Sequence, residues 1–143
     1  MRKVEIDKTV ILGQPLRPLQ GMILSSENPS NREVVIEGSL YIGPYSVIGE
    51  GVHFADGVIV DIFCNIERGV IIGQNTIIVH KATIGGYSKV GMDCVIGGLI
   101  GEGTVIGNRC RIFGTVVHKQ DDPSLSWDHR PEPEPSVVIH DDS

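Results

Sequence analysis

Five histidines carry the chemistry in this 143-residue chain that works near neutral pH: His53, His80, His118, His129 and His140. An imidazole titrates close to working pH, so it can take a proton from a hydroxyl or amine as that group attacks an electrophile. Two of the five stand where such a base is useful. His118 closes Thr115-Val116-Val117-His118-Lys119, just before an irregular proline-rich stretch, and His80 lies in Ile78-Val79-His80-Lys81-Ala82. His53, His129 and His140 read as surface residues, with His129 also placed to line a site. Asp121, Asp122 and Asp128 have the charge to orient a histidine or bind an amine, although loop acids usually just face solvent. Asp61 is a further outward candidate.

These side chains must be positioned by a repeat. Every sixth residue from Ile36 to Ile96 is apolar: Ile36, Ile42, Ile48, Phe54, Val60, Ile66, Ile72, Ile78, Ile84, Val90 and Ile96. Most are followed by a small residue, as at Gly43, Gly49, Ala55, Gly73, Gly85, Gly91 and Gly97, whereas Asp61, Glu67 and Val79 break that habit. Four residues past each apolar position comes a small or β-branched side chain, including Ser46, Cys64, Thr76, Ala82, Ser88 and Cys94. A fixed period means stacked repeats. Six is three times the strand period, so each hexad is a short strand plus a corner, with its main apolar residue always inward. The pattern slips once, from Ile96 to Ile100, then resumes at Ile106 and Ile112, which puts the next core position at His118. A slip of four keeps the inward parity. Cys64, Cys94 and Cys110 fall on the small inward position and read as core residues rather than ligands or disulfide partners.

Stretches such as Val47-Ile48-Gly49-Glu50-Gly51-Val52, Val70-Ile71-Ile72-Gly73-Gln74-Asn75-Thr76 and Val105-Ile106-Gly107-Asn108-Arg109-Cys110 resemble the hexapeptide repeat of the left-handed β-helix acyltransferases. The resemblance covers residues 36–117, with an echo at 137–143. It implies an all-β, left-handed parallel β-helix, an exception to the right-handed crossover rule. It also implies acetyl-CoA or another acyl-CoA as co-substrate, and a homotrimer with its site in the groove between neighbouring subunits. His118 then matches a histidine that leads into an excursion over the acceptor in sugar and xenobiotic O-acetyltransferases. His80 matches a corner histidine that is catalytic in some sugar N-acetyltransferases. The excursion lacks the more diagnostic loop motifs, which leaves the acceptor open. The γ-class carbonic anhydrases share the fold, but their zinc site needs three histidines, two of them five apart, and no such pair exists here.

The expected organisation is an N-terminal cap at 1–35, in which Val10-Ile11-Leu12-Gly13 reads as a first strand, the β-helix at 36–117, a proline-rich acidic loop at 118–136 and the start of a further rung at 137–143. A chain ending in mid-rung predicts a part of a longer protein. Residues 1–119 balance acids and bases, so the net charge of −6 lies in 120–143. No basic face stands out, which argues against nucleic acid. No apolar run approaches 18 residues and no signal peptide is evident, which predicts a cytoplasmic protein without a membrane partner. Two readings stand: an acyl-CoA-dependent O- or N-acyltransferase acting on a sugar or other small acceptor, and a non-catalytic β-helix that serves as a trimerisation module, scaffold or degenerate homologue. Outward Val47, Ile59, Ile71, Ile77 and Val95 are the residues a trimer would cover.

Overall fold

The computed structural model describes residues 3–13, 33–117 and 137–143. These form eighteen short strands and no helix. In chain order the coils are β1 (Val4–Ile6), β2 (Ile11–Leu12) and β3 (Val35–Ile36); β4 (Leu40–Ile42), β5 (Val47–Ile48) and β6 (His53–Phe54); β7 (Val58–Val60), β8 (Asn65–Ile66) and β9 (Ile71–Ile72). The stack continues with β10 (Ile77–Ile78), β11 (Thr83–Ile84) and β12 (Lys89–Val90); β13 (Val95–Ile96), β14 (Leu99–Ile100) and β15 (Val105–Ile106); β16 (Arg111–Ile112), β17 (Thr115–Val116) and β18 (Val138–Ile139). First, second and third strands of successive coils each pair into a six-stranded parallel sheet, here faces 1, 2 and 3. The fold is a left-handed β-helix.

Register comes from the period. Each inward residue pairs with the one a full coil later, as in Ile48↔Ile66, and Phe54, Ile72, Val90 and Ile106 stack in one column on face 3. That core is fully closed in the middle coils, where Ile42, Ile48, Phe54, Ile66, Ile72, Ile78 and Ile84 are all inaccessible to solvent.

The structure corrects two expectations. The N-terminal segment supplies not one strand, at residues 10–13, but three: β1 pairs with β4, β2 with β5 and β3 with β6, so residues 3–13 and 33–36 build a first coil. Their inward side chains are separated by residues 14–32, which hides the period. The second correction is at the far end. Ile112 is followed by a second four-residue side, so the next core position is Val116, paired with Ile100, and not residue 118. His118 itself lies outside the described residues.

Short sides need a special corner. Only Gly97-Gly98 and Phe113-Gly114 link face 1 to face 2 in the last two coils. Gly98 and Gly114 have φ of 83° and 128°, and a Cβ on Gly98 would collide with the Gly114 carbonyl. Glycine meets both demands because it has no Cβ.

The inward residue at each corner does more than fill space. The Ser46 hydroxyl accepts from the Cys64 N–H (3.1 Å) and donates to the Asp61 carbonyl (2.9 Å). Thr76 accepts from Cys94 N–H (3.2 Å) and donates to the Gly91 carbonyl (2.8 Å). Ser88 does the same between Thr104 N–H (3.2 Å) and the Gly101 carbonyl (3.0 Å). Thiols repeat the donor half: Cys64 to Val79 O (3.2 Å), Cys94 to Gly107 O (3.1 Å) and Cys110 to His140 O (3.1 Å). Corner backbone groups that the strand ladders leave unpaired are thereby satisfied. Burial pushes the Cys64 and Cys94 thiols above their ordinary range, in keeping with inert core residues.

Residues 137–143 are tied back by side chains as well as by β18. Arg109 Nε and Nη2 donate to the two Asp142 carboxylate oxygens (2.7 and 3.2 Å). This hydrogen bonding holds the Asp142 carboxyl below its ordinary value, so the clamp is intact at neutral pH and is lost as pH falls through that lowered value.

Thr76→Val tests the corner bonds. It keeps the shape but strands the buried Cys94 N–H and the part-buried Gly91 carbonyl, so stability should fall by about 1–3 kcal/mol. A denaturant midpoint equal to that of the native protein would contradict the assignment.

Candidate functional site

His80 occupies the corner between β10 and β11, where the chain turns from face 1 to face 2. The turn is closed by Ala82 N–H donating to Val79 O (3.1 Å). Lys81 takes φ 64° and donates its N–H to Ile62 O on the coil below (3.0 Å). The imidazole therefore projects from a backbone held on both sides, with the Val79 carbonyl also taking the Cys64 thiol. The His80 side chain is 59% exposed.

Asp61 stands beside it. Its Oδ2 is 4.0 Å from His80 Nδ1, while its Oδ1 accepts from the Ile62 N–H (2.8 Å). The pair is just beyond hydrogen-bond length, as such pairs often are without a substrate. A small rotation would let Nδ1–H meet the carboxylate and leave Nε2 as the outward base. The sequence singles out both residues; the coil brings them together, since Asp61 lies one coil below Val79.

The corner above His80 is the first short one. The coil from β13 to β14 turns in two residues, Gly97 and Gly98, so the edge recedes directly over His80 and Lys81. Below them, the corner tips carry two aromatic rings. Tyr45 and Phe63 are 59% and 52% exposed and stack with centroids 5.2 Å apart and planes 18° off parallel. The hexad pattern alone does not single out this pair, although the coil length aligns residue 45 with residue 63.

Other candidates sit elsewhere. His53 is on β6, with Nε2 2.8 Å from Glu37 Oε1, a surface ion pair when the ring is protonated. His140 follows β18 at the exposed end of the stack. His118, His129, Asp121, Asp122 and Asp128 lie outside the described residues. Among the described residues, no group of three or more His, Cys, Asp or Glu side chains gathers closely enough to hold a metal ion. No described helix is long and apolar enough to cross a membrane.

No family model matches the sequence. It is 27% identical over 107 residues to the acyl-[acyl-carrier-protein]–UDP-N-acetylglucosamine O-acyltransferase of Campylobacter concisus (strain 13826). That match covers 68% of this chain and 41% of the relative, so the chain spans about two-fifths of that curated protein. The structure overlays on the acetyltransferase domain of PglB from Neisseria gonorrhoeae FA1090, solved in complex with acetyl coenzyme A, with a TM-score of 0.60 and 19% identity. The overlay covers 78% of this chain and 48% of that one. The overlay shows a shared parallel β-helix fold. Within this fold the His80 corner is the place where a titratable pair, exposed rings and a receding edge coincide among the described residues.

Gly98→Ala tests the receding edge. A side chain there meets a strained φ and the Gly114 carbonyl, so the variant should lose several kcal/mol or fail to fold. Unchanged thermal unfolding would show that the short corner is not held as described.

Proposed function

We propose that the chain is the β-helix portion of an acyltransferase that moves an acyl group from a thioester to a hydroxyl or amine of a sugar, with His80 as general base. The observation that carries this reading is the His80–Asp61 pair at an exposed corner of a hexapeptide β-helix. The acceptor attacks the thioester carbonyl and its proton passes to His80 Nε2. The new acyl–oxygen or acyl–nitrogen bond forms as the carbon–sulfur bond breaks, and the imidazolium returns the proton to the departing thiolate. Asp61 stabilises the imidazolium and fixes its tautomer, as an acid behind a catalytic histidine does. Acetyl-CoA is the proposed donor; the relative's name gives an acyl-[acyl-carrier-protein] in that place. His118 is the alternative base, as the resemblance implies.

The proposal extends to a homotrimer in the cytoplasm. Face 1 presents a continuous outward stripe of Tyr41, Ile59, Ile77 and Val95, bounded by Glu5 at one end and Arg111 at the other. Ile71 and Val47, also expected at an interface, face outward on faces 3 and 2, and the outward position of face 2 turns polar at Asn65 and Thr83. Packing face 1 against a neighbour would cover apolar surface and put that neighbour beside the His80 corner.

Release of free thiol from acetyl-CoA in the presence of amino sugars tests the chemistry. His80→Ala should lower turnover by about 10²–10⁴-fold, with His118→Ala far milder. The reverse order would move the base to His118, and no thiol release from acetyl-CoA would favour the scaffold reading.

Light scattering should give three times the chain mass for the native protein and a lower mass for Ile59→Glu. A native monomer at micromolar concentration would defeat the trimer.

A further inference from the structure

An acyltransferase must also hold its acceptor, and the platform inferred for that role rests on the acyl-transfer reading. Tyr45, Phe63 and Lys81 occupy the tip of the face 1–face 2 corner on three consecutive coils. Phe63 N–H donates to Pro44 O and Lys81 N–H to Ile62 O, each at 3.0 Å, so the tips sit one above another. All three have left-handed φ: 61°, 56° and 64°. That region disfavours any residue with a Cβ, and a bulky one there is an outlier. The other corners mostly fill the tip with residues that tolerate it: Gly57, Asn75, Asp93 and Asp142 at one, Gly51, Gly69 and Gly103 at the other. Their two large exceptions have partners, Arg109 with Asp142 and Tyr87 with the Arg68 guanidinium 5.9 Å from its ring. Only the corner of His80 carries a bulky side chain on three coils in succession among the described residues. Clustered strain of this kind points to a site.

The ring geometry says what the site takes. The 5.2 Å between the Tyr45 and Phe63 centroids is close to the rise of about 4.8 Å per coil. The rings therefore stack along the solenoid axis, both remain exposed, and the face of Phe63 away from Tyr45 is turned toward the coil that bears His80 and Lys81. We propose that Phe63, backed by Tyr45, is the acceptor platform. The apolar face of a pyranose ring lies on it, its hydroxyl or amine reaches His80, and a phosphate attached to the sugar meets the Lys81 ammonium. Lysine suits a phosphate as a mobile point charge. Phe63 and Lys81 are thus specificity-determining residues, and the substrate class is a phosphate-linked pyranose.

Titration calorimetry with two probes tests this, using UDP-N-acetylglucosamine and the neutral methyl glycoside of N-acetylglucosamine. The native protein should bind the charged probe about tenfold more tightly or better. Phe63→Asn should weaken both probes about tenfold while keeping or raising the unfolding temperature, because asparagine tolerates the left-handed tip; Phe63→Tyr should retain binding. Lys81→Met should remove only the preference for the charged probe. No binding of either probe to the native protein, native affinity in Phe63→Asn, or a preference that survives Lys81→Met would each overturn the proposal. A thiol-release assay run alongside separates the two claims. The expected binding pattern without thiol release leaves the platform standing and removes acyl transfer. Thiol release with an acceptor KM unchanged in Phe63→Asn leaves acyl transfer standing and removes the platform.

Discussion

Every coil must hand its backbone hydrogen bonds to the next one at a spacing of about 4.8 Å, and the outline of the whole molecule is set by that requirement. Val47 N–H meets Cys64 O, Asn65 N–H meets Ala82 O and Thr83 N–H meets Gly98 O, each within 2.9 Å. Such a ladder forces the coils to share one outline. The inward side chains then form columns, and Ile and Val predominate in the core, with Leu40, Phe54, Ala82 and the three cysteines among them. No coil buries its own apolar face, so the stack gains stability only as neighbours are added. The corners carry the residual cost. Backbone groups there fall outside the strand ladders, and the buried hydroxyls and thiols of Ser46, Thr76, Ser88, Cys64, Cys94 and Cys110 supply the missing partners.

A rule this strict makes departures from it informative. The face 1–face 2 corner departs in three ways at once. It shortens at Gly97-Gly98, it carries bulky left-handed tips at Tyr45, Phe63 and Lys81, and it has the acid Asp61 at a position that most hexads fill with glycine. The repeat needs none of these, and each has a use in the proposed chemistry. The receding edge opens room, the rings offer a flat apolar surface, and Asp61 sets the tautomer of His80. The ladder also gives the site its rigidity, because the Asp61 and Val79 carbonyls are both held from below by Ser46 and Cys64.

Much of this is legible in the residues. The inward column from Ile36 to Ile96 determines both the strands and their register, since parity leaves no other solution once the apolar residues face in. What the residues conceal, they conceal for physical reasons. The first coil is legible only at residues 10–13, because residues 14–32 separate β2 from β3 and a period cannot be seen across an interruption of that length. The second short side is hidden because Val116 fits two readings, corner filler after Ile112 or the next core residue. Only pairing with Ile100 decides between them, and it moves the core position off His118. The His80–Asp61 pair is within reach of the sequence: residues 61 and 79 stack one coil apart, so the neighbours of 79 must lie over 61. The hydroxyl ladder shows in the sequence only as a taste for small residues, because a spacing records size and not the direction in which a proton points.

If chemistry resides at the face 1–face 2 corner beside His80, substrates must perturb that corner first. Amide chemical shifts, recorded while acetyl-CoA and then an amino sugar are added to the isotope-labelled protein, report on every corner at once. The largest changes should fall on 61–63, 79–82 and 97–98. Changes centred on the opposite corner, at 92–93 and 108–109, or no changes at all would contradict this placement.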